Sequence, residues 1–327
     1  WDRLAAMGVL ATLVPEDRGG LGLDERSLVL VLEEAGRAAL PHPLVDTAAV
    51  AAPLLGADAG VVATNLGGPH VACAADADRL LLHDPGDGGL HLMHPGDVTC
   101  SPVATVDPAR RAATITWDPS APAPAHPTSA WDPTPTRNPG AARPAWDPPP
   151  TNPKTGEATP DPADSAAHPG TGGPALDPGM GFDAGAGDED EAGDDDLAWG
   201  WGSWNLGAAT LVTDDPALVE LARDRGAWGT AAMLVGLGQR MVELAVAHVS
   251  ERHQFGVPVG SFQAVKHQLA DAHKDLAFAR PVVHRAAHSL ATRAASRGRD
   301  VSMAKVLAGD AAWRAGRTLR FDAANYP

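Results

Sequence analysis

Apolar residues recur at helical spacing through the last third of the chain. Residues 231–251 place Leu234, Leu237, Met241, Leu244, Ala245 and Val249 on one stripe, which predicts an amphipathic helix. Gly256 and Pro258 stop it, because glycine tolerates a left-handed exit and proline has no N–H to donate. Ser261 is the expected N-cap of a second helix, with Phe262, Val265, Leu269, Ala272, Leu276 and Val283 as its apolar stripe and Pro281 as a kink. Residues 301–319 predict a third helix. The run from Pro216 to the first stripe reads as one long helix, or as a pair broken near Gly226. An αα-hairpin results. Its corner displays an arginine, a phenylalanine and two glutamines that core packing does not explain.

Upstream, residues 1–55 also read as helical. A short helix is closed by Gly8, and an apolar segment runs into the glycine-rich loop of residues 15–22. Asp24 is the expected cap of the next helix, with Leu28, Val31, Leu32 and Ala35 buried, and Pro41 and Pro43 end it. The glycine loop lacks a following Lys-Ser/Thr, so a phosphate cradle is not favoured. From residue 60 to 117 the period changes to two. VVAT, RLLLH, GLHLMH and RAATITW predict short strands, with a hairpin loop at Asp84 to Gly89, and AATLVT at 208–213 adds one more.

Residues 118–205 break both patterns. They hold 17 of the 30 prolines, 15 acidic residues and 3 basic ones. Such a segment buries too little apolar surface to offset the entropy of ordering, so it reads as a disordered insert. WDP recurs at Trp117, Trp131 and Trp146, too short and polar a repeat to stack. A recruiting segment and a tolerated, degenerate insertion both remain open, the second being favoured. Of the formal charge of −16, the insert carries −12 and the rest −4. That acidity argues against nucleic acid as a partner. Cys73 and Cys100 make neither a disulfide framework nor a metal cluster and suit a reducing, cytoplasmic setting. No run of eighteen apolar residues predicts a transmembrane segment. The chain opens on Trp1 rather than Met and reads as a fragment lacking its first helix or so.

The corner, ERHQFGVPVGSFQAVKHQLAD over residues 251–271, resembles the signature of the acyl-CoA dehydrogenase family, with Val259 where isoleucine is usual. The Pro-Glu-x-x-Gly-Gly-Leu-Gly loop at residues 15–22 is similar to that family's N-terminal domain. The resemblance covers residues 206–318 well and 1–117 loosely. It implies a mostly α fold with a small β domain: N-terminal helices over 1–59, a β domain over 60–117 and 206–215, and a C-terminal bundle over 216–327. It also implies FAD as cofactor, an acyl-CoA substrate, an electron-transfer flavoprotein as acceptor, and a dimer or tetramer. By the same resemblance Arg252, Gln254, Phe255 and Gln263 are cofactor-binding residues toward the FAD of a neighbouring subunit. A guanidinium forks onto a pyrophosphate, and a glutamine hydrogen-bonds it without charge. Lys266 and His267 lie near the cofactor or simply on the helix surface.

The chain departs from the family pattern in three places. It lacks the usual flavin-contacting Thr-Glu-Pro loop, and the match is lost after Thr318, before the glycine-rich adenosine segment. Where some members carry the catalytic glutamate, this chain has Gly226 and Ala227, with Asp224 near in sequence but off the required face. No catalytic residue is therefore assigned. His284 and His288 stand at i, i+4, but no acidic third ligand follows in H-E-x-x-H fashion, so no metal site is expected. The expected function is α,β-desaturation of an acyl-CoA thioester; a non-catalytic FAD-contacting subunit and a degenerate inactive homologue are the alternatives.

Overall fold

The computed structural model describes residues 1–68, 70–105, 110–116 and 209–324, so the acidic, proline-rich segment read as disordered lies outside them. Helix α1 (Asp2–Ala6) ends at Gly8, whose φ of 76 makes the left-handed exit. Asp24 caps α2 (Glu25–Arg37) by accepting from the Arg26 N–H, as its spacing predicts. The chain then turns through a π-helical stretch, Val45–Ala51, into α3 (Ala52–Leu55).

Seven strands follow: β1 (Val62–Thr64), β2 (His70–Val71), β3 (Arg79–His83), β4 (Leu90–Met93), β5 (Thr99–Pro102), β6 (Ala113–Thr116) and β7 (Thr210–Thr213). They form two sheets, ordered β1-β3-β4-β7 and β2-β6-β5. Strands β2 and β5 escape the sequence because β2 has only two residues and β5, Thr-Cys-Ser-Pro, carries no β-branched apolar alternation. The β3–β4 loop is the expected hairpin, with Asp84 N–H donating to Gly89 O and Asp84 Oδ1 accepting from Gly86. The outer edge of β1 is closed by the π-helical turn. Thr47 Oγ1 accepts from Val62 N–H and donates to Val62 O, and Asp46 accepts from Thr64 N–H. Burial pushes the Asp46 carboxyl up to about 6.

The C-terminal helices are α4 (Pro216–Glu251), α5 (Gln263–Ala291) and α6 (Arg297–Ala324). Helix α4 runs unbroken through Gly226, the single long helix of the two alternatives, and α5 passes Pro281 without ending. Its glycines mark close approach rather than termination. A Cβ on Gly236 would sit 1.8 Å from Glu33 O, and one on Gly36 would sit 2.0 Å from Met233 O, so α2 and α4 cross backbone to backbone. That crossing also rotates the buried face. Trp228, Ala231, Val235, Gly238, Val242, Ala245 and Val249 are buried, whereas Leu244 is exposed and Leu234, Leu237 and Met241 only half-buried. The predicted stripe thus holds at Ala245 and Val249 and is about one position out of register from Leu234 to Leu244. Helix α4 is long and apolar enough to cross a membrane by length and composition alone. Core helices share that property, and its small residues pack in the main core with α2, α5 and α6.

Two ion-pair clusters tie the N-terminal helices to the bundle. Glu33 on α2 accepts from Arg280 at 3.0 Å and from His284 at 2.8 Å. Glu25, almost fully buried, meets Arg225 Nε at 2.8 Å and Arg293 at 3.4 Å. Burial lowers the Arg225 pKa and the Glu25 charge opposes that shift.

Candidate functional site

The corner is built where α4 stops. Arg252 leaves the helix in extended conformation (φ −75, ψ 126), its N–H still donating to His248 O. A two-residue hairpin follows, β8 (His253–Gln254) against β9 (Val257–Pro258), closed by Val259 N–H donating to Arg252 O at 2.7 Å. Phe255 and Gly256 form its turn, both left-handed, with φ of 54 and 83. Two consecutive left-handed residues suit a tight hairpin turn, which favours Asn-Gly; a phenylalanine in the first place is strained.

Ser261 does not cap α5. It lies in a 3₁₀ turn, Val259–Ser261, and its hydroxyl donates to Pro258 O at 2.7 Å; Phe262 takes the cap position without a side-chain bond. The turn is fixed from beneath by a small core of Ala245, Val249, Val259, Val265 and Leu269. The displayed groups therefore stand on a rigid base.

All four predicted site residues come together here. Phe255 is 87% exposed, and its ring meets that of Phe262 in a T-shaped contact, centroids 6.3 Å apart. Arg252 is half-buried, and its Nε is buried with no hydrogen-bond partner among the described residues. Gln254 is half-buried in the hairpin, and Gln263 opens α5 exposed, its Nε2 3.4 Å from His267 Nε2. An orphaned guanidinium N–H, two carboxamides and an uncovered aromatic face make a surface suited to an anionic, partly aromatic partner from outside the chain. This donor set fits a dinucleotide of the flavin type. The other candidates do not join it. His284 is committed to Glu33, His288 is exposed, and no group of three metal-ligating side chains occurs among the described residues. Asp224 is held by Arg297 at 2.5 Å.

Sequence reasoning missed the Glu33–Arg280–His284 and Glu25–Arg225–Arg293 clusters. Their partners lie about two hundred residues or more apart, and no local spacing marks them.

Comparison with known proteins gives the same family at both ends of the chain. Residues 1–57 match the model of the acyl-CoA dehydrogenase N-terminal domain, and residues 218–320 that of its C-terminal domain. The chain belongs to the acyl-CoA dehydrogenase family. Members of this family are FAD-binding flavoproteins and oxidoreductases acting on CH–CH bonds. The acyl-CoA dehydrogenase IpdE2 of Mycolicibacterium smegmatis is 45% identical over 78 residues, 24% of this chain and 24% of that protein. The chain thus spans about a quarter of the length of the curated relatives it matches. Among solved structures, the ChsE4–ChsE5 complex from Mycobacterium tuberculosis superposes with a TM-score of 0.62 at 17% identity, over 99% of this chain and 76% of that one. Butyryl-CoA dehydrogenase from Megasphaera elsdenii gives 0.58 at 16% identity, over 99% and 79%. These likenesses show the acyl-CoA dehydrogenase fold, the mostly α layout with a small β region that the sequence predicts.

Proposed function

We propose that the chain serves FAD-dependent α,β-desaturation of an acyl-CoA thioester, as a subunit whose corner contacts the FAD of a neighbouring subunit. The observation that carries this reading is an 87%-exposed Phe255 in the turn of a hairpin that Arg252 enters half-buried, set on a small apolar core. Bound FAD supplies the acceptor for the hydride lost from the β-carbon. The chain's own residues bind and shield. Arg252 offers a fork to the pyrophosphate, Gln254 and Gln263 donate without adding charge, and the Phe255 ring covers apolar surface and excludes water.

Removal of the α-proton needs a carboxylate within reach of the α-carbon. Gly226 and Ala227 have none, and the neighbouring acids are committed, Asp224 to Arg297 and Glu25 to Arg225. The two carboxylates nearest that position are thus held in ion pairs. The base is therefore expected outside them. Assembly is supported by apolar side chains left uncovered in the bundle, including Phe278, Val306 and Trp313, the last 68% exposed. A dimer or tetramer, with an electron-transfer flavoprotein as acceptor, completes the proposal.

Arg252→Ala tests it. Losing a charge-assisted contact of about 1.5–3 kcal/mol should weaken FAD retention through gel filtration by roughly ten- to a hundred-fold, with an unchanged circular dichroism spectrum. Arg252→Lys should restore part of the loss, since an ammonium lacks the fork. Wild-type protein that stays flavin-free in excess FAD would sink the proposal, and turnover with acyl-CoA tests the catalytic half separately.

A further inference from the structure

His267 lies one turn along α5 from Gln263, and the two side chains meet through nitrogens, Gln263 Nε2 to His267 Nε2 at 3.4 Å. An amide nitrogen can only donate, so in this arrangement the imidazole Nε2 is the acceptor. Gln263 has no other hydrogen bond holding its side chain among those found in the described residues, and Phe262 provides no cap that would fix it. One amide N–H is therefore anchored on the helix surface. The carbonyl oxygen and the second N–H are left facing away from it.

From this contact we infer that His267 is a positioning residue, holding the Gln263 carboxamide ready for the flavin dinucleotide. The inference rests on the FAD reading above. An exposed glutamine otherwise rotates freely, and ordering it on binding costs affinity. Prepaying that order is worth roughly two- to ten-fold in the dissociation constant.

Protonation of the ring would abolish the contact as it stands. With N–H on both ring nitrogens the imidazolium cannot accept, and the amide must turn its oxygen inward. The charged and titratable groups on the elements packed here include Lys266, Asp271 and Lys274 on α5, His248, Glu251 and Arg252 at the end of α4, and Arg314 on α6. Asp271 stands one turn further along α5 and is bound by Lys274 at 2.8 Å, and Arg314 of α6 acts on Asp271 from across the bundle. The 3₁₀ turn packed against this end of α5, Val259–Ser261, carries no titratable side chain.

Two measurements test the inference with FAD as probe. In the flavin-free protein, the Gln263 side-chain amide resonances, assigned by their loss in Gln263→Glu, should shift with pH at the midpoint of the His267 ring. In His267→Gln, whose carboxamide oxygen accepts the same N–H without titrating, that pH response should vanish. In the reconstituted protein, His267→Leu should weaken FAD retention by roughly two- to ten-fold and His267→Gln should restore it. Amide signals indifferent to the His267 titration overturn the inference, whatever happens to flavin. Equal FAD retention in wild type, His267→Leu and His267→Gln also overturns it while leaving the FAD reading intact. A wild type that retains no FAD overturns the FAD reading itself.

Discussion

Gly236→Ala should separate the N-terminal helices from the bundle. The new methyl would lie 1.8 Å from Glu33 O, 2.7 Å from Glu33 C and 2.9 Å from Arg37 N. All three are backbone atoms of α2, so no rotamer change relieves the clash. An ordinary carbon–oxygen contact needs about 3.3 Å, so the helices must part by about 1.5 Å. A gap of that size forfeits much of the dispersion energy across the crossing, where Leu28, Leu32, Trp228, Ala231 and Val235 are buried. Overpacking of this kind costs about 3 kcal/mol or more, against a gain of about 1 kcal/mol from replacing a helical glycine. The net loss is then about 2 kcal/mol, or roughly 4–8 °C in Tm. Gly309→Ala is the internal control, because a Cβ there meets nothing within 4 Å. It should gain about 0.5–1 kcal/mol from helix propensity alone. Thermal and urea unfolding followed by circular dichroism report both variants. A Gly236→Ala protein as stable as wild type would refute the backbone-to-backbone crossing.

Two further outcomes follow from particular side chains. Asp46 has its folded pKa raised to about 6 from the ordinary 3.8, so folding takes up a proton between those values and stability falls as pH rises through that window. Asp46→Asn keeps an oxygen for Thr64 N–H and removes the cost, so it should stabilise by up to about 3 kcal/mol at pH 7.5 and by little near pH 4, read from urea midpoints; an advantage that grows on acidification contradicts the assignment. Phe255→Asn should relieve the left-handed strain and raise stability by about 1 kcal/mol while lowering FAD retention; unchanged retention would remove Phe255 from the binding surface.

Local chemistry was legible in the sequence where one or two residues decide it. Gly8 and Asp24 bound the first helices as read, Asp84 to Gly89 makes its hairpin, and the four corner residues converge as their spacing within one turn requires. The misreadings share a cause. Ser261, a good cap by type, spends its hydroxyl on Pro258 O because the preceding hairpin imposes a 3₁₀ turn first. Gly226 does not break α4, since tertiary packing on both sides outweighs a glycine's propensity. Periodicity places Leu234, Leu237 and Leu244 on the buried stripe because hydrophobicity ranks leucine above alanine and glycine. At a crossing this close, only small residues fit between the backbones, so volume overrides hydrophobicity and rotates the face.

That rotation bears on how the corner is used. With Ala245 and Val249 buried, the last turns of α4 rest on Val259, Val265 and Leu269, and the hairpin between them has no freedom to fold back over its own chain. Phe255 then keeps both a left-handed backbone and an uncovered ring, a combination that costs about 1–3 kcal/mol in backbone strain and buries nothing within the chain. Other non-glycine residues here share the left-handed conformation, but Cys73, for example, is buried and its thiol donates to Pro41 O. At Phe255 the return among the described residues is a single T-shaped contact with the Phe262 ring, which leaves Phe255 87% exposed. On the proposed reading, a flat and anionic partner would cover the Phe255 ring and meet the half-buried Arg252 at the foot of the same hairpin. A flavin dinucleotide meets both demands at once.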